Sequence, residues 1–368
     1  MAGARSGKRE WSQGSRRALF VAGLLLGIPL LAFAVFTLLA PPSVVGASFA
    51  GLLLLWSFGA LTAPWRNIPY VCTAALAGML LVIGYRYLEG ESGERLTETS
   101  EPGGGPARAL DRILPERDVA LGGSRILALA GAVPDDAPGL LSALRDGYSR
   151  MSDAEGAVPS PVLGTFVQGQ SASDYTVVRV GTGSFNPPSV AVVFLHGFIG
   201  SVALLCWQVS LAAQAIGAVT VCPSTDWQAQ WTSPDSLVIV ERTLSELRSQ
   251  GVRRIYLAGL SAGAIGVSRI AHRFDVEGVI LLSGASSRVE HPKRVPTLVI
   301  QGGRDPRTPA GPARAYARRL GALASYREVP EADHWLVLSH HEQVRRWMEE
   351  WLTALEGMPS VEPPTGAP

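Results

Sequence analysis

Three long apolar runs lie near the start of the chain. They cover residues 18–40, 44–63 and 70–88, and each approaches the roughly 20 residues that a helix needs to cross a bilayer. The first run is longer than the apolar part of a cleaved signal peptide, which has about 7 to 15 residues. The pattern therefore predicts a membrane region over residues 1–88 with three spanning helices. For the third and shortest run, a buried or re-entrant segment is the alternative.

Basic residues give these predicted helices an orientation. The connection Pro41–Ser43 carries none, Arg66 lies between the second and third runs, and a basic cluster precedes the first run at Arg5, Lys8, Arg9, Arg16 and Arg17. Because cytoplasmic loops carry the excess of Lys and Arg, the N-terminus is expected in the cytoplasm. An odd number of spans then places the remainder of the chain on the extracytoplasmic side.

The pattern changes twice after the apolar runs. Residues 89–110 are rich in Glu, Gly, Ser, Thr and Pro, a composition that predicts a flexible linker. Residues 111–160 contain two modest apolar patches interrupted by Pro134 and Pro138, and short helices are predicted there. The last residues, 357–368, are predicted to be a disordered tail.

From Asp174 onward, short branched apolar segments alternate with amphipathic stretches of helical length. Such alternation predicts a doubly wound, mostly parallel sheet covered by helices, an α/β fold over residues 161–356. Seven strands are predicted, at Thr176–Val180, Val190–Leu195, Ala218–Val221, Arg254–Ala258, Gly278–Leu282, Thr297–Gln301 and Ser325–Val329.

Composition excludes several classes of function. The formal net charge is +1 and no basic stripe with interleaved aromatic residues occurs, so no nucleic-acid partner is expected. The 3 cysteines show no spacing typical of a metal site, and neither a metal nor another cofactor is expected. Cys206 and Cys222 could form one bridge outside the cytoplasm, but two free buried cysteines are the favoured interpretation.

The sharpest local signal is the sequence GLSAG, from Gly259 to Gly263. It directly follows a predicted strand and directly precedes a stretch with helical periodicity. In such a turn the serine takes a strained backbone conformation that exposes its hydroxyl, and the flanking glycines let strand and helix approach closely. Alone, the pentapeptide also fits an ordinary glycine-rich turn. Its context makes Ser261 the candidate nucleophile.

A serine hydroxyl needs a positioned base, normally a histidine oriented by a carboxylate. Asp305 comes just after the sixth predicted strand and His334 just after the seventh. Both therefore follow carboxyl ends of strands, as Ser261 does. The pattern favours Asp305 and His334 as the partners of Ser261, over other carboxylates that lie in the same loop or at element ends, namely Asp235, Asp275 and Asp333.

In this order the motifs resemble the α/β-hydrolase family, over about Pro161 to Leu355. The sequence HGF, from His196 to Phe198, resembles the family's loop after the third strand, and GLSAG resembles its nucleophile elbow. The resemblance implies an eight-stranded core and a serine hydrolase. It further implies that Ser261 is the nucleophile, that His334 is the general base and then acid, and that Asp305 orients the imidazole.

The resemblance also implies an oxyanion hole and a substrate class. The backbone N–H groups of Phe198 and Ala262 would bind the oxyanion, and His196 would only shape its loop. The connection Ser283–Val295 is too short for a helical cap, which brings the chain closer to lidless esterases, thioesterases and dienelactone-hydrolase-like members. Three tryptophans could line an apolar acyl site, with plain packing an equal alternative: Trp227, Trp231 and Trp335.

Several functions fit this pattern. The leading expectation is a membrane-anchored enzyme that hydrolyses small-molecule or lipid carboxylic esters or thioesters through an acyl-enzyme. A serine peptidase or an acyltransferase would use the same three residues. A membrane-anchored binding protein that has lost its activity is an alternative of a different class, because a fold does not fix a function.

Overall fold

The chain divides into two compact units, one of residues 1–90 and 113–123 and the other of residues 91–112 and 124–368. The computed structural model describes residues 13–39, 43–62, 69–89, 94–100, 115–131, 137–156, 175–181, 188–198, 200–288 and 295–357. The predicted tail beyond residue 357 and most of the predicted linker lie outside these described residues.

The first unit is helical. Its main helices are α1 (Gln13–Ala22), α2 (Ile28–Leu39), α3 (Val44–Thr62) and α4 (Pro69–Glu89). A π-helical turn, Gly23–Gly27, separates α1 from α2.

Small residues let the helices of this unit pack closely. A Cβ on Gly23 would lie 3.0 Å from the carbonyl carbon of Ala60, and a Cβ on Gly78 would lie 2.9 Å from Leu52 Cδ2. Close approach at glycine and alanine is the usual way in which membrane helices associate. The start of α3 is fixed by Ser43, whose N–H and hydroxyl donate to the Asp118 carboxylate at 2.9 and 2.7 Å.

One helix of the described residues, Val44–Thr62, is long and apolar enough to cross a membrane, where the sequence predicts three. The first predicted run is divided by the π turn into two short helices. The apolar part of α4 spans only Tyr70–Arg86. A single such helix also occurs in soluble proteins, so length and composition alone do not assign it to a bilayer.

The second unit contains an eight-stranded sheet in the order β1-β2-β4-β3-β5-β6-β7-β8. β2 runs antiparallel to β1 and β4, and the remaining neighbours are parallel. The strands are β1 (Leu96–Ser100), β2 (Thr176–Val180), β3 (Val190–Leu195), β4 (Val219–Pro223), β5 (Arg254–Leu260), β6 (Gly278–Leu282), β7 (Thr297–Gly302) and β8 (Ala324–Val329).

Helix α5 (Glu116–Leu129) has residues in both units. The helices that connect and cover the strands are α6 (Ala137–Glu155), α7 (Ala203–Ala213), α8 (Pro234–Ser249), α9 (Ala262–Ile270), α10 (Ala310–Leu320), α11 (Leu336–Ser339) and α12 (His341–Glu356). Every residue of β3, β6 and β7 is buried, as expected for a parallel sheet covered on both faces. The α/β fold follows the prediction.

The stretch predicted to be a linker contributes to the sheet. Its residues Leu96–Ser100 form β1, which pairs along its whole length with β2. Leu96 is the one apolar side chain of this strand and is fully buried. Likewise, α6 is a helix of 19 residues and not a short one. Pro138 lies in its first turn, where proline starts a helix without breaking it.

Glu155, at the end of α6, joins three elements of the second unit. Its side chain has no exposed surface, and Oε1 accepts from Arg95 Nη2 at 2.7 Å and from Trp207 Nε1 at 3.1 Å. Its Oε2 accepts from the backbone N–H of Arg95 at 3.2 Å. The carboxylate thereby fixes α6 to α7 and to the residue before β1. The sheet domain therefore begins before residue 161, the predicted boundary.

Replacing Glu155 by Ala is expected to lower the thermal stability of the full-length protein in detergent. The change leaves the buried Trp207 N–H without its acceptor and removes the ion pair of Arg95, which keeps only its contact with Gln214 Oε1, and the loss costs about 1 to 3 kcal/mol. Glu246→Ala is the matched control, because the Glu246 pair with Arg179 is more exposed, and such pairs contribute about 0 to 1 kcal/mol. Equal Tm losses for the two variants would contradict the role given to Glu155.

Candidate active site

Ser261 lies in the turn between β5 and α9. Its backbone has φ 56° and ψ −118°, a conformation that a residue with a side chain rarely adopts. Two hydrogen bonds hold this turn: the Ser261 N–H donates to the Leu282 carbonyl at 2.9 Å, and the Ser261 carbonyl accepts from the Ile265 N–H at 2.9 Å. The end of β6 and the first turn of α9 together maintain the strain.

The two glycines around Ser261 have the role that the pattern predicts. A Cβ on Gly259 would lie 2.5 Å from the carbonyl carbon of Gly263, and a Cβ on Gly263 would lie 2.1 Å from the Leu195 carbonyl oxygen. Neither contact is possible for a residue with a side chain. Strand β5, helix α9 and the end of β3 therefore meet through bare backbone.

Asp305 and His334 are in direct contact. His334 Nδ1 lies 2.8 Å from Asp305 Oδ2, and each residue is only 5% exposed. Burial by itself raises the pKa of Asp305, but the hydrogen bond and charge of His334 and the hydrogen bonds from Thr308 outweigh burial and lower the pKa below its ordinary value. An ionised carboxylate only accepts, so Nδ1 carries the proton. In the neutral ring Nε2 is then the acceptor.

The segment after β6 lies between the Ser261 turn and the loop that carries Asp305. A Cβ on Gly284 would lie 3.1 Å from the Ser261 carbonyl oxygen and 3.5 Å from Thr308 Cγ2. Thr308 Oγ1 in turn donates to Asp305 Oδ2 at 2.6 Å. Within the described part of the chain, no hydrogen bond joins the Ser261 hydroxyl to the His334 ring. Such contacts are often long in an enzyme without substrate.

His196 shapes the loop after β3. Its Nδ1 lies 2.7 Å from the Gly197 carbonyl, its Nε2 accepts from the Thr225 N–H at 3.1 Å, and its carbonyl accepts from Trp231 Nε1 at 2.9 Å. Complete burial lowers the pKa of His196 to about 4. The ring is therefore neutral at pH 7, and its two nitrogens already have partners. It has the structural role that the resemblance implies.

The loop shaped by His196 lies against the serine. A Cβ on Gly197 would be 3.2 Å from Ser261 Cβ. Phe198 follows, with a side chain that is 55% exposed, and Ala262 is the first residue of α9. The first N–H groups of a helix have no partner inside it. Neither the Phe198 nor the Ala262 N–H donates to another described residue.

The three candidate tryptophans differ in exposure. Trp231 is only 1% exposed and packs on Gly266 and the His196 ring, which favours the alternative of plain packing over an acyl site. Trp227 is 36% exposed and meets the Phe198 ring edge to face at 5.1 Å. Trp335 is half-buried, with its ring centroid 5.2 Å from that of His334. Trp227 and Trp335 stay candidates.

The alternative carboxylates are engaged elsewhere or lie apart from His334. Asp333 Oδ1 accepts from the Trp335 N–H at 2.9 Å, and Asp275 faces Arg248 on the surface at 3.5 Å. Asp235 lies in the first turn of α8. Among the described residues, no group of three or more His, Cys, Asp and Glu side chains could hold a metal ion.

Cys206 and Cys222 form a disulfide, so the expectation of two free cysteines is wrong. Cys206 lies in α7 and Cys222 in β4, 16 residues apart in sequence. Helix α7 packs on β4, which brings the two Cα atoms to 6.1 Å, within the usual range for a disulfide. This crossover geometry cannot be deduced from the spacing of the cysteines.

Sequence reasoning missed the polar residues that surround Asp305. Gln301 Nε2 donates to Asp305 Oδ2 at 3.1 Å, and the Arg307 and Thr308 N–H groups both donate to Oδ1 at 2.9 Å. A signal was present, because an aspartate that begins a turn commonly accepts from N–H groups two and three residues later. The contact of Thr308 with a third loop had no sequence signal.

A family model described as TAP-like protein matches residues 282–358, from the end of β6 to just beyond α12. The matched segment contains Asp305 and His334. Together with the strand order, this match supports a hydrolase with the α/β-hydrolase fold. No curated protein matches the chain.

Solved structures of similar fold cover about half of the chain. Est1E from Butyrivibrio proteoclasticus, solved with ferulic acid bound, is 15% identical over 50% of this chain and 96% of its own, with a TM-score of 0.43. An α/β serine hydrolase without a lid from Xanthomonas campestris is 16% identical over 52% and 98%, with a TM-score of 0.41. The Pyrococcus furiosus esterase Pf2001 is 14% identical over 51% and 91%, also at 0.41.

Proposed function

We propose that this protein is a membrane-anchored serine hydrolase that cleaves carboxylic esters or thioesters through an acyl-enzyme on Ser261. One observation carries the proposal. Ser261, with its strained backbone, follows β5, and an ionised Asp305 after β7 is bonded at 2.8 Å to His334 after β8 of the same sheet. Carboxyl ends of parallel strands share one edge, where active sites of such folds form.

The proposed reaction has two steps. His334 Nε2 takes the proton of Ser261 Oγ as the oxygen attacks the substrate carbonyl, and the N–H groups of Phe198 and Ala262 bind the resulting oxyanion. The oxyanion collapses, the bond to the leaving group breaks, and His334 returns the proton to the departing oxygen or sulfur. A water molecule then attacks the acyl-enzyme by the same route. Asp305 stays ionised and stabilises the imidazolium.

A peptidase or an acyltransferase would use the same groups. Acyl transfer differs only in the acceptor that attacks the acyl-enzyme, which an assay with added alcohol or amine distinguishes. A protein that only binds ligands would keep the fold but would not form an acyl-enzyme. The conformation of Ser261 favours reactivity, because residues held in a strained backbone conformation cluster at active sites.

Fluorophosphonate labelling of the full-length protein is expected to occur at Ser261 and to be abolished by Ser261→Ala. His334→Ala and Asp305→Ala should each reduce kcat by several powers of ten with folding preserved, the aspartate variant less than the histidine variant. Asp235→Ala is the control for removal of a carboxylate. Labelling of Ser261→Ala at the wild-type rate would exclude Ser261, and an equal loss for Asp235→Ala would displace Asp305.

Membrane anchoring and an extracytoplasmic catalytic domain complete the proposal. Val44–Thr62 is the helix that would cross the bilayer, with the basic N-terminus in the cytoplasm. One or three spans both place Ser261 outside, whereas two would not. The Cys206–Cys222 disulfide supports the outer side, because structural disulfides persist in oxidising compartments.

A reporter that is active only in the cytoplasm is expected to be silent when it is fused to the C-terminus. The same reporter fused to the N-terminus should be active and serves as the matched control. The disulfide gives a second readout: thiol alkylation of the denatured protein should modify Cys72 alone until a reductant is added. An active C-terminal fusion together with three reactive thiols would place the enzyme in the cytoplasm.

Short and medium acyl esters are expected to react best. The exposed rings of Phe198 and Trp227 offer an apolar wall beside Ser261, and each methylene bound there gains at most about 0.8 kcal/mol. In a series of p-nitrophenyl esters, kcat/KM should therefore peak between acetyl and octanoyl. Trp227→Ala should flatten that dependence, and Val238→Ala, which removes an exposed apolar side chain of α8, should not. A sharp optimum at palmitoyl with interfacial activation would contradict the proposal that these two rings bind short and medium acyl chains.

A further inference from the structure

Thr308 makes more contacts at the candidate site than a turn residue requires. Its Oγ1 lies 2.6 Å from Asp305 Oδ2, 2.7 Å from the Ser283 carbonyl oxygen and 3.3 Å from His334 Nδ1. Its backbone N–H donates to Asp305 Oδ1 at 2.9 Å. Thr308 thus bonds both oxygens of the carboxylate, which fixes the plane of the carboxylate and directs Oδ2 toward the imidazole.

Ser283 extends these contacts to the histidine. It is the first residue after β6 and is completely buried, and its φ of 49° lies in the left-handed region. Its N–H donates to the Ile300 carbonyl at 2.9 Å, and its hydroxyl donates to the His334 carbonyl at 3.0 Å. A residue in this strained conformation persists only where neighbouring groups fix it. The hydroxyl bond of Ser283 also fixes the backbone of His334.

The Thr308 hydroxyl can donate only one hydrogen bond at a time, so its contacts are not equivalent. The Thr308 hydroxyl has one hydrogen and two close acceptors, the Asp305 carboxylate and the Ser283 carbonyl. A carboxylate is the stronger acceptor because its hydrogen bond is charge-assisted, so the Thr308 hydroxyl donates mainly to Asp305. The hydroxyl also lies close to His334 Nδ1, so the carboxylate and the ring are held against the same group. The loops after β6, β7 and β8 are thereby connected.

We propose that Thr308 and Ser283 are positioning residues, whose hydroxyls together hold the Asp305–His334 pair in the orientation needed to serve Ser261. Neither residue touches the reacting atoms. This inference rests on the proposed function, and it adds the requirement that the three loops act as one unit. A misplacement of about 1 Å in a catalytic group can lower a rate by about 100-fold.

Thr308→Val is the first test, because valine keeps the branched shape and removes the hydroxyl. In the full-length protein, kcat for p-nitrophenyl butyrate should fall by about 10-fold to 100-fold with KM unchanged, since substrate binding does not involve Thr308. Thr308→Ser, which restores the hydroxyl, should recover most of that loss. Rates are normalised to the Ser261 sites titrated by fluorophosphonate, so that unfolded protein does not contribute.

A double-mutant cycle tests whether the two hydroxyls act together. Ser283→Ala should also lower kcat, and the combined variant should lose less than the product of the two single losses. Ser286→Ala is the matched control: its hydroxyl is buried in the same segment and accepts from Arg269 Nε at 3.1 Å, without contact to Asp305 or His334. Its normalised kcat should equal that of the wild type.

The outcomes separate this inference from the proposed function. If the wild type neither labels at Ser261 nor turns over, the proposed function fails and the positioning roles fail with it. If the wild type is active but Thr308→Val keeps its kcat, or Thr308→Ser is as slow as Thr308→Val, only the positioning roles are overturned. Strictly multiplicative losses in the double-mutant cycle would also overturn the coupling between the two hydroxyls.

Discussion

The strained turn at Ser261 is the constraint on which the rest of the site depends. A residue with φ 56° reverts to an ordinary conformation unless its neighbours prevent it, and here the end of β6 and the first turn of α9 do so. The turn also requires contact between bare backbones, since a side chain at Gly263 would collide with the Leu195 carbonyl. The ends of β3, β5 and β6 are therefore set by one local geometry, which fixes the edge where Asp305 and His334 must appear.

Two buried histidines of the site, His196 and His334, differ in the groups that are bonded to their rings. His196 is buried without a carboxylate bonded to its ring, so its pKa falls to about 4 and it serves as an uncharged connector for the loop that carries Phe198. His334 is equally enclosed but bonds to Asp305, whose carboxylate accepts from five donors. A carboxylate with that many donors stays ionised. Asp305 can therefore stabilise a positive imidazole at His334, whereas Asp226 acts on His196 through its charge and not through a hydrogen bond to the ring.

Sequence predicted most of the sheet because parallel strands covered by helices are short, branched and apolar, as β3, β6 and β7 are. It failed where pairing depends on backbone alone: β1 reads LTETS, with one apolar residue, and only its partner β2 identifies it as a strand. It could not decide where a residue type fits two environments: Trp231 fits a core as well as a cleft, and it is buried in the core. Cys206 and Cys222 meet only through the packing of α7 on β4, which their spacing does not reveal. The roles of Ser261, Asp305 and His334 remain predictions, although the structure brings Asp305 and His334 into contact.

The segment before the predicted catalytic domain has a part in the site as well as in the sheet. Helix α6 packs against α7 and against α11, the short helix that begins two residues after His334. Its last residue, Glu155, fixes Arg95 at the entrance to β1 and Trp207 in α7, the helix that carries one half of the disulfide. The same helix therefore supports an edge of the sheet and the far side of the histidine loop. Residues that sequence composition assigns to a linker and to short helices therefore belong to the same compact unit as Ser261, Asp305 and His334.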